Sequence, residues 1–350
     1  MSVSDTVSHR GPAPLASTKT LGGAGHGPVC EHQESIDGLR AALNRTLIGK
    51  ESTVEMVLAC LLARGHLLFD DLPGLGKTTL AKALAAGLDL RFRRVQFTPD
   101  LMPGDILGLR VLEEGADGRR EVRFERGPVF TNVLLADEIN RASPRTQAAL
   151  LEAMAEGKVT LFGETTALED PFFLVATENP IEMEGTFPLP EAQLDRFQMK
   201  VVLGRPSFEE LVRVLDASAL ESSSAIAPTM SAAEVRALRA FVRELPVSRE
   251  IVECVARTVL ATHPDGDAPT EVQRTVRHGA SPRAGQALLA AARARALLRG
   301  ELHVKFEDLE ALCVPVLRHR ILLGYEGEAT GVDTAALARA ALAHARSRAK

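Results

Sequence analysis

The sequence has no tryptophan and a single tyrosine, and 13 phenylalanines bring its aromatic share to only 4%. A chain so poor in rings lacks the stacking platforms on which single-stranded nucleic acid is held. Its formal net charge of −5 supplies no global field for DNA, RNA or anionic lipid. The four cysteines, Cys30, Cys60, Cys254 and Cys313, are far apart and form no C-x-x-C pair, which leaves neither a zinc site nor a disulfide framework and fits a reducing compartment. No run reaches the roughly 18 apolar residues of a membrane-spanning helix, and the amino terminus MSVSDTVSHRGPAPLAST lacks an apolar stretch of secretory length. The expectation is a cytoplasmic protein with no membrane insertion and no nucleic-acid partner.

What remains is ordinary globular material in quantity. With 350 residues, 45% of them hydrophobic and 25% charged, the chain can bury a large core unaided and is long enough for two domains. Residues 1–33 are rich in Gly, Pro, Ser and Thr without hydrophobic period, and are expected to form a flexible tail. His26, Cys30 and His32 fall within it at no metal-ligand spacing. A helical segment beginning at Ser35 and reaching Gly65 then leads into short apolar runs, HLLFD, RVQF, NVLLADE, PFFLVATENP and MKVVLG, with helical patterns between them. Continuous apolar runs of this kind belong to strands buried on both faces, so residues 34–206 read as an α/β domain with a five-stranded parallel sheet. Two stretches interrupt the alternation, GLRVLEEGADGRREVRFERG and GKVTLFGETTALEDP, and both read as hairpin insertions. From 207 to 350 the texture turns to Ala, Leu, Arg and Glu at helical spacing, which predicts an all-helical second domain.

The chemistry is concentrated in a few segments. In DDLPGLGKTTL a strand runs into Pro73-Gly74-Leu75-Gly76-Lys77-Thr78-Thr79 and then a helix. Backbone N–H groups of such a loop wrap a β-phosphate at the positive end of the helix dipole; Lys77 adds a point charge and Thr78 a hydroxyl for Mg²⁺. Asp71 stands where the first glycine of the usual pattern lies, at the strand exit, where its loss removes no phosphate donor. About 60 residues on, VLLADEIN ends a buried strand in two carboxylates. Asp137 is placed to hold the metal and Glu138 to orient or deprotonate a water. FFLVATENP presents Asn179 to the same water or to the γ-phosphate; Asn-Pro is also an ordinary turn. In LPEAQLDRF, Arg196 lies at the far end of a short helix, either as a surface ion pair or as an arginine finger for the next subunit of a ring. In GASPRAGQALL, Arg283 opens a helix behind Pro282.

Taken together these segments resemble a MoxR-type AAA+ ATPase, from Leu47-Ile48-Gly49 through DDLPGLGKT, RVQFTPDLMPGDILG, RGPVF, LLADEINRASPRTQAALLEAM, FFLVATENPIEMEGTFPLPEAQLDRF, GASPRA and VLRHRI. The resemblance implies a P-loop AAA+ core with sheet order 5-1-4-3-2 flanked by helices, a C-terminal helical lid, and ATP with Mg²⁺ as ligands. It implies that Ile48 and Gly49 border the adenine, with Lys50 where the family often has glutamine, and that an acidic residue at the Asp71 position is tolerated. It also implies Asn179 as first sensor, Arg196 as finger and Arg283 as second sensor. The hairpins would line a pore or touch a client. A homo-oligomeric, hexameric ring that remodels or matures a protein client follows, with a von Willebrand factor A domain protein as its partner. Two other readings stand beside it. A nucleic-acid motor would use Arg293, Arg295, Arg299, Arg318 and Arg320 as a basic patch, and a non-hydrolysing nucleotide switch would need Lys77 and Thr78 but not Glu138, Asn179 and Arg196.

Overall fold

The computed structural model describes residues 28–70, 74–114, 120–161, 163–179, 185–219 and 226–348. The expected tail as far as residue 27, and Asp71 and Pro73 of the loop, lie outside the described residues. Residues 28–33, read from composition as tail, instead open the helix Pro28–Thr46. Pro28 suits a first turn, and the helix is held down by a buried stripe of Ile36, Leu39 and Leu43. The long helical run read from the sequence is broken after Thr46, where Gly49 takes a left-handed φ of +74° before Glu51–Leu62 begins.

Among the described residues eleven strands follow the chain: β1 Leu67–Asp70, β2 Phe92–Gln96, β3 Gly108–Glu114, β4 Arg120–Arg126, β5 Val133–Asp137, β6 Lys158–Leu161, β7 Glu164–Ala167, β8 Phe173–Glu178, β9 Met199–Val201, β10 Val276–His278 and β11 Leu322–Leu323. Five of them form one parallel sheet in the order β2-β5-β8-β1-β9. Counted by core strand and read from the β9 edge, that is the expected 5-1-4-3-2 order. The interruptions β3–β4 and β6–β7 are antiparallel hairpins outside it.

The sheet is buried on both faces, which is why its strands read as unbroken apolar runs. Leu67, Phe69, Leu135, Phe173 and Val175 point into one packed layer. Their alternate neighbours Leu68, Leu134, Leu174 and Ala176 point into the other. Each large side chain so enclosed contributes on the order of 1.5–3 kcal/mol. The second layer is closed by Leu150, Leu151 and Met154 of the helix Pro144–Glu156. The first takes in Leu58 and Leu61 of Glu51–Leu62, Leu80 and Leu84 of Lys77–Gly87, and residues of the C-terminal helices, among them Val235, Leu288, Leu297 and Leu312. The helical region therefore folds back on its own α/β core and shares its hydrophobic interior. Among the described residues its regular structure is helical apart from the short antiparallel pair β10–β11.

Candidate nucleotide site

The parallel sheet delivers its functional groups at the C-terminal tips of adjacent strands. This is where open α/β sheets place ligands. β1 leads towards the loop, and at its far end Gly74 and Gly76 take φ of +86° and +87°. A side chain at Gly74 would meet nothing within 4 Å, so the backbone there faces open space. At Gly76 an added Cβ would lie 2.8 Å from Leu47 Cδ1. Gly76 caps the helix Lys77–Gly87 without a side-chain partner. A helix N-terminus without a side-chain cap is the kind of helix end that receives an anion. Lys77 is buried although charged.

Register brings the acidic tips beside these donors. Ala136 of β5 pairs with Ala176 of β8, so the next residues, Asp137 and Thr177, stand side by side; the Thr177 hydroxyl donates to Asp137 Oδ1 at 2.6 Å. Gln96 of β2 pairs with Asp137. From the same strand, Arg94 Nε and Nη2 donate to Asp137 Oδ2 at 3.1 and 2.7 Å.

Glu138 is bent out of the strand by a left-handed backbone, φ 56° and ψ 51°. Such strain costs on the order of 1–3 kcal/mol for a residue with a side chain. It is stabilised by the Glu138 N–H donating to Thr177 Oγ1 at 2.8 Å. Its carboxylate Oε2 accepts from Gln96 Nε2 at 2.7 Å and from Arg141 Nη1 at 3.0 Å. Asn179, buried at the end of β8, exchanges backbone and side-chain bonds with Asn140. The Asn179 N–H donates to Asn140 Oδ1 at 3.4 Å, and Asn140 Nδ2 donates to Asn179 O at 3.3 Å.

Together these tips and the loop line a cavity of about 360 Å³. Gly74, Gly76, Lys77, Thr78, Thr79, Asp137, Glu138 and Asn179 all face it, as the sequence predicts. Arg94, Gln96, Thr177 and Glu178 face it too and were not anticipated. Arg94 and Gln96 are two apart on an exposed edge strand and so share a face. That spacing was the available signal. Glu178 is largely buried and its carboxyl is raised above its ordinary value, first by desolvation; Lys200, 3.5 Å away, opposes the shift. Lys200 also pairs with Asp70 at 2.7 Å.

The other expected residues stand apart from the cavity. Leu75 packs on the hydrophobic interior. Ile48 and Gly49 lie by the helix Phe208–Ala219, where Glu210 pairs with Lys50 at 3.3 Å. Arg196 is exposed and donates to Leu151 O at 3.1 Å. Arg283 is also exposed and pairs with Asp195 at 3.5 Å. Four arginines of the supposed basic patch are spent on internal acceptors. Arg293 donates to Leu245 O, Arg295 and Arg299 bind Asp308, and Arg320 is buried against Asp195.

The donor set fits a magnesium nucleotide. A glycine cradle opens to a helix N-terminus, a buried lysine follows, and a carboxylate already engages cationic and hydroxyl donors. Among the described residues no group of three or more His, Cys, Asp or Glu could hold a metal ion by itself.

Comparison with known proteins agrees with this geometry. Residues 66–199 match the family model described as ATPase family associated with various cellular activities, and residues 268–340 match the AAA lid domain. Chaperone MoxR1 of Mycobacterium tuberculosis is 38% identical over 92% of this chain and 88% of its own length. Protein MoxR of Paracoccus denitrificans is 35% identical over 81% and 87%. A solved structure from Cytophaga hutchinsonii, described as a candidate ATPase, superposes with a TM-score of 0.83 at 34% identity, over 90% of this chain and 96% of that one.

Proposed function

Because the chain belongs to the MoxR family of AAA+ ATPases, we propose that it hydrolyses ATP with Mg²⁺ in a ring of identical subunits, hexameric by family likeness, to remodel or mature a protein client. The observation that carries the hydrolytic part is the strained Glu138, aimed into the same cavity as Lys77 and Asp137. A switch that only binds nucleotide has no use for that strain.

In this reading the amides of Gly74 to Thr79 and the Lys77 ammonium hold the phosphates. Thr78 and Asp137 hold the metal, which would offset charge on the β- and γ-oxygens. Glu138 accepts a proton from, or orients, the attacking water, and Asn179 fixes that water against the γ-phosphate. Arg94, which donates to Asp137 Oδ2, would share that carboxylate with a bound metal. Ile48 and Gly49 border the base. Arg196 points away from its own cavity and completes the neighbour's, while Arg283 reads the γ-phosphate from the lid.

The client side rests on family likeness. The chaperone name of the mycobacterial relative supports a protein substrate, and a von Willebrand factor A domain protein is the partner the family suggests. The hairpins β3–β4 and β6–β7, tied by the Arg110–Glu164 pair at 3.1 Å, are the surfaces offered to a client. Cytoplasmic placement fits an ATP consumer whose described cysteines Cys60, Cys254 and Cys313 are all free and buried; no described helix is long and apolar enough to cross a membrane.

Steady-state phosphate release tests the reading. Glu138→Gln is expected to bind ATP and lose turnover by at least about a hundredfold; Lys77→Ala is expected to lose binding. Full turnover by Glu138→Gln would exclude the assigned water-activating role.

A further inference from the structure

The turn that carries Arg196 is tied to the lid through its own carboxylate, Asp195, and through the buried guanidinium of Arg320. Asp195 lies directly before Arg196, between the short helix Glu191–Leu194 and β9. Its Oδ1 accepts from Arg320 Nε at 2.7 Å, and its backbone carbonyl accepts from Arg320 Nη2 at 3.1 Å. The same guanidinium donates to Phe197 O at 2.7 Å and to Gln198 O at 3.2 Å. It also donates to Val316 O, one turn back along its own segment. With only 3% of its side chain exposed, Arg320 is therefore a strut that fixes three carbonyls around the arginine turn, those of Asp195, Phe197 and Gln198. Beside it His319 Nε2 donates to Phe197 O at 3.1 Å.

The other partners of Asp195 are weaker. Ser281 Oγ donates to Oδ2 at 3.2 Å. Arg283 reaches Oδ2 at 3.5 Å with 60% of its side chain exposed, a surface pair worth little. One carboxylate thus serves a fixed cation, Arg320, and a detachable one, Arg283.

We infer that Asp195 is a latch between lid and finger: it keeps Arg283 in reserve until nucleotide draws that arginine away, while Arg320 holds Asp195 and so positions Arg196 for the adjacent subunit. Asp195 and Arg320 are positioning residues, and the inference rests on the readings of Arg196 as finger and Arg283 as second sensor. Holding Arg283 competes with nucleotide, whereas holding the turn favours turnover. Removing the Asp195 charge therefore moves affinity and rate in opposite directions, which a merely structural role does not.

The experiment measures binding of a non-hydrolysed ATP analogue and the kcat of ATP hydrolysis in Asp195→Asn, Arg283→Ala and the double variant. Asp195→Asn is expected to bind the analogue about two- to fivefold tighter, the size of a surface ion pair, while kcat falls about tenfold or more. The tightening disappears in the Arg283→Ala background, and Asp195→Glu restores both values towards the parent. Unchanged or weaker binding by a folded Asp195→Asn, or the same tightening without Arg283, overturns the latch. Should Asp195→Asn not fold, Ser281→Asp adds a second carboxylate beside Arg283. The latch then requires analogue binding to weaken about two- to fivefold only while Arg283 is present, and equal weakening in both backgrounds overturns it. Arg283→Ala alone separates the two levels: no loss of analogue affinity there refutes the second-sensor reading itself, whereas a loss there with no tightening in Asp195→Asn refutes only the latch.

Discussion

Asp137 at the tip of β5 and Asp308 near the start of the helix Phe306–Leu317 are both gripped by arginine, but in different surroundings. Asp308 is fully enclosed; Arg295 Nη1 lies 2.7 Å from its Oδ1, Arg299 Nη1 3.3 Å, and the Lys305 N–H donates to Oδ2 at 2.8 Å. Asp137 keeps 16% of its side chain exposed, and its main cationic partner, Arg94, is 47% exposed. Around Asp308 the carboxylate itself has no access to water, so its charge depends on the two arginines that share it. Around Asp137 the cation stands at the edge of a cavity and can be exchanged for another. An enclosed ion cluster serves folding, whereas a cluster open on one side is equipped for chemistry.

The sharpest way to break this contrast is to remove each centre. Asp308→Ala is expected to cost about 1.5–3 kcal/mol of unfolding free energy in denaturant titrations, because Arg295 and Arg299 lose the enclosed acceptor they share and keep only Glu55, Glu301 and Glu307 nearer the surface. A loss below about 1 kcal/mol would place Asp308 with the exchangeable group.

Acid sharpens the contrast at a third buried position, the seam between lid and core. His319 is enclosed, its Nδ1 has no hydrogen-bond partner, and burial with the nearby Arg320, Lys200 and Arg318 charges pulls its pKa well below the ordinary 6.5. The folded state therefore holds the ring neutral, while the unfolded chain takes up a proton below about pH 6.5. Its contribution is complete above that pH and is lost as the pH falls, by up to about 1.4 kcal/mol per unit. Denaturant midpoints at pH 7.5 and pH 5 should show this fall, and His319→Asn should reduce it. An unchanged slope in the variant would assign the acid sensitivity elsewhere.

The smallest effect belongs to the exposed partner of the open cluster. Arg94→Ala should alter unfolding free energy by no more than about 1 kcal/mol. A thermal-shift titration with Mg²⁺ and ATP analogue should still show saturable stabilisation, because Asp137 remains. Loss of the fold would show that Arg94 belongs with Arg295.

Much of this was legible in the sequence where one residue type has one physical use. The glycines before Lys77 announce a turn at a helix start, and LLADE announces a buried strand ending in charge. The order of the sheet came by resemblance, whereas the helical character of residues 207–350 was legible in the spacing of their Ala, Leu, Arg and Glu. Pairings formed across the sheet were not legible. Thr177 reads as one more β-branched strand residue, and only the register of β5 against β8 puts it on Asp137. Arg94 and Gln96 read as solvated edge positions until β2 is set beside β5. The residues 28–33 misled because a local wealth of polar and small types says nothing about the buried stripe that begins at Ile36. The partners of the arginines of the C-terminal helices were not legible either, since spacing alone does not disclose acceptors that lie far along the chain, such as Asp195 for Arg320.

The central claim is that each cavity is completed by Arg196 of an adjoining subunit, and subunit mixing tests it most directly. Arg196→Ala and Glu138→Gln are each expected to hydrolyse ATP at a small fraction of the parent rate. Mixed in equal amounts they should regain a substantial part of it, because some interfaces then pair an intact Glu138 with an intact Arg196. A mixture no more active than the sum of its parts, in rings shown to exchange subunits, would contradict the shared site.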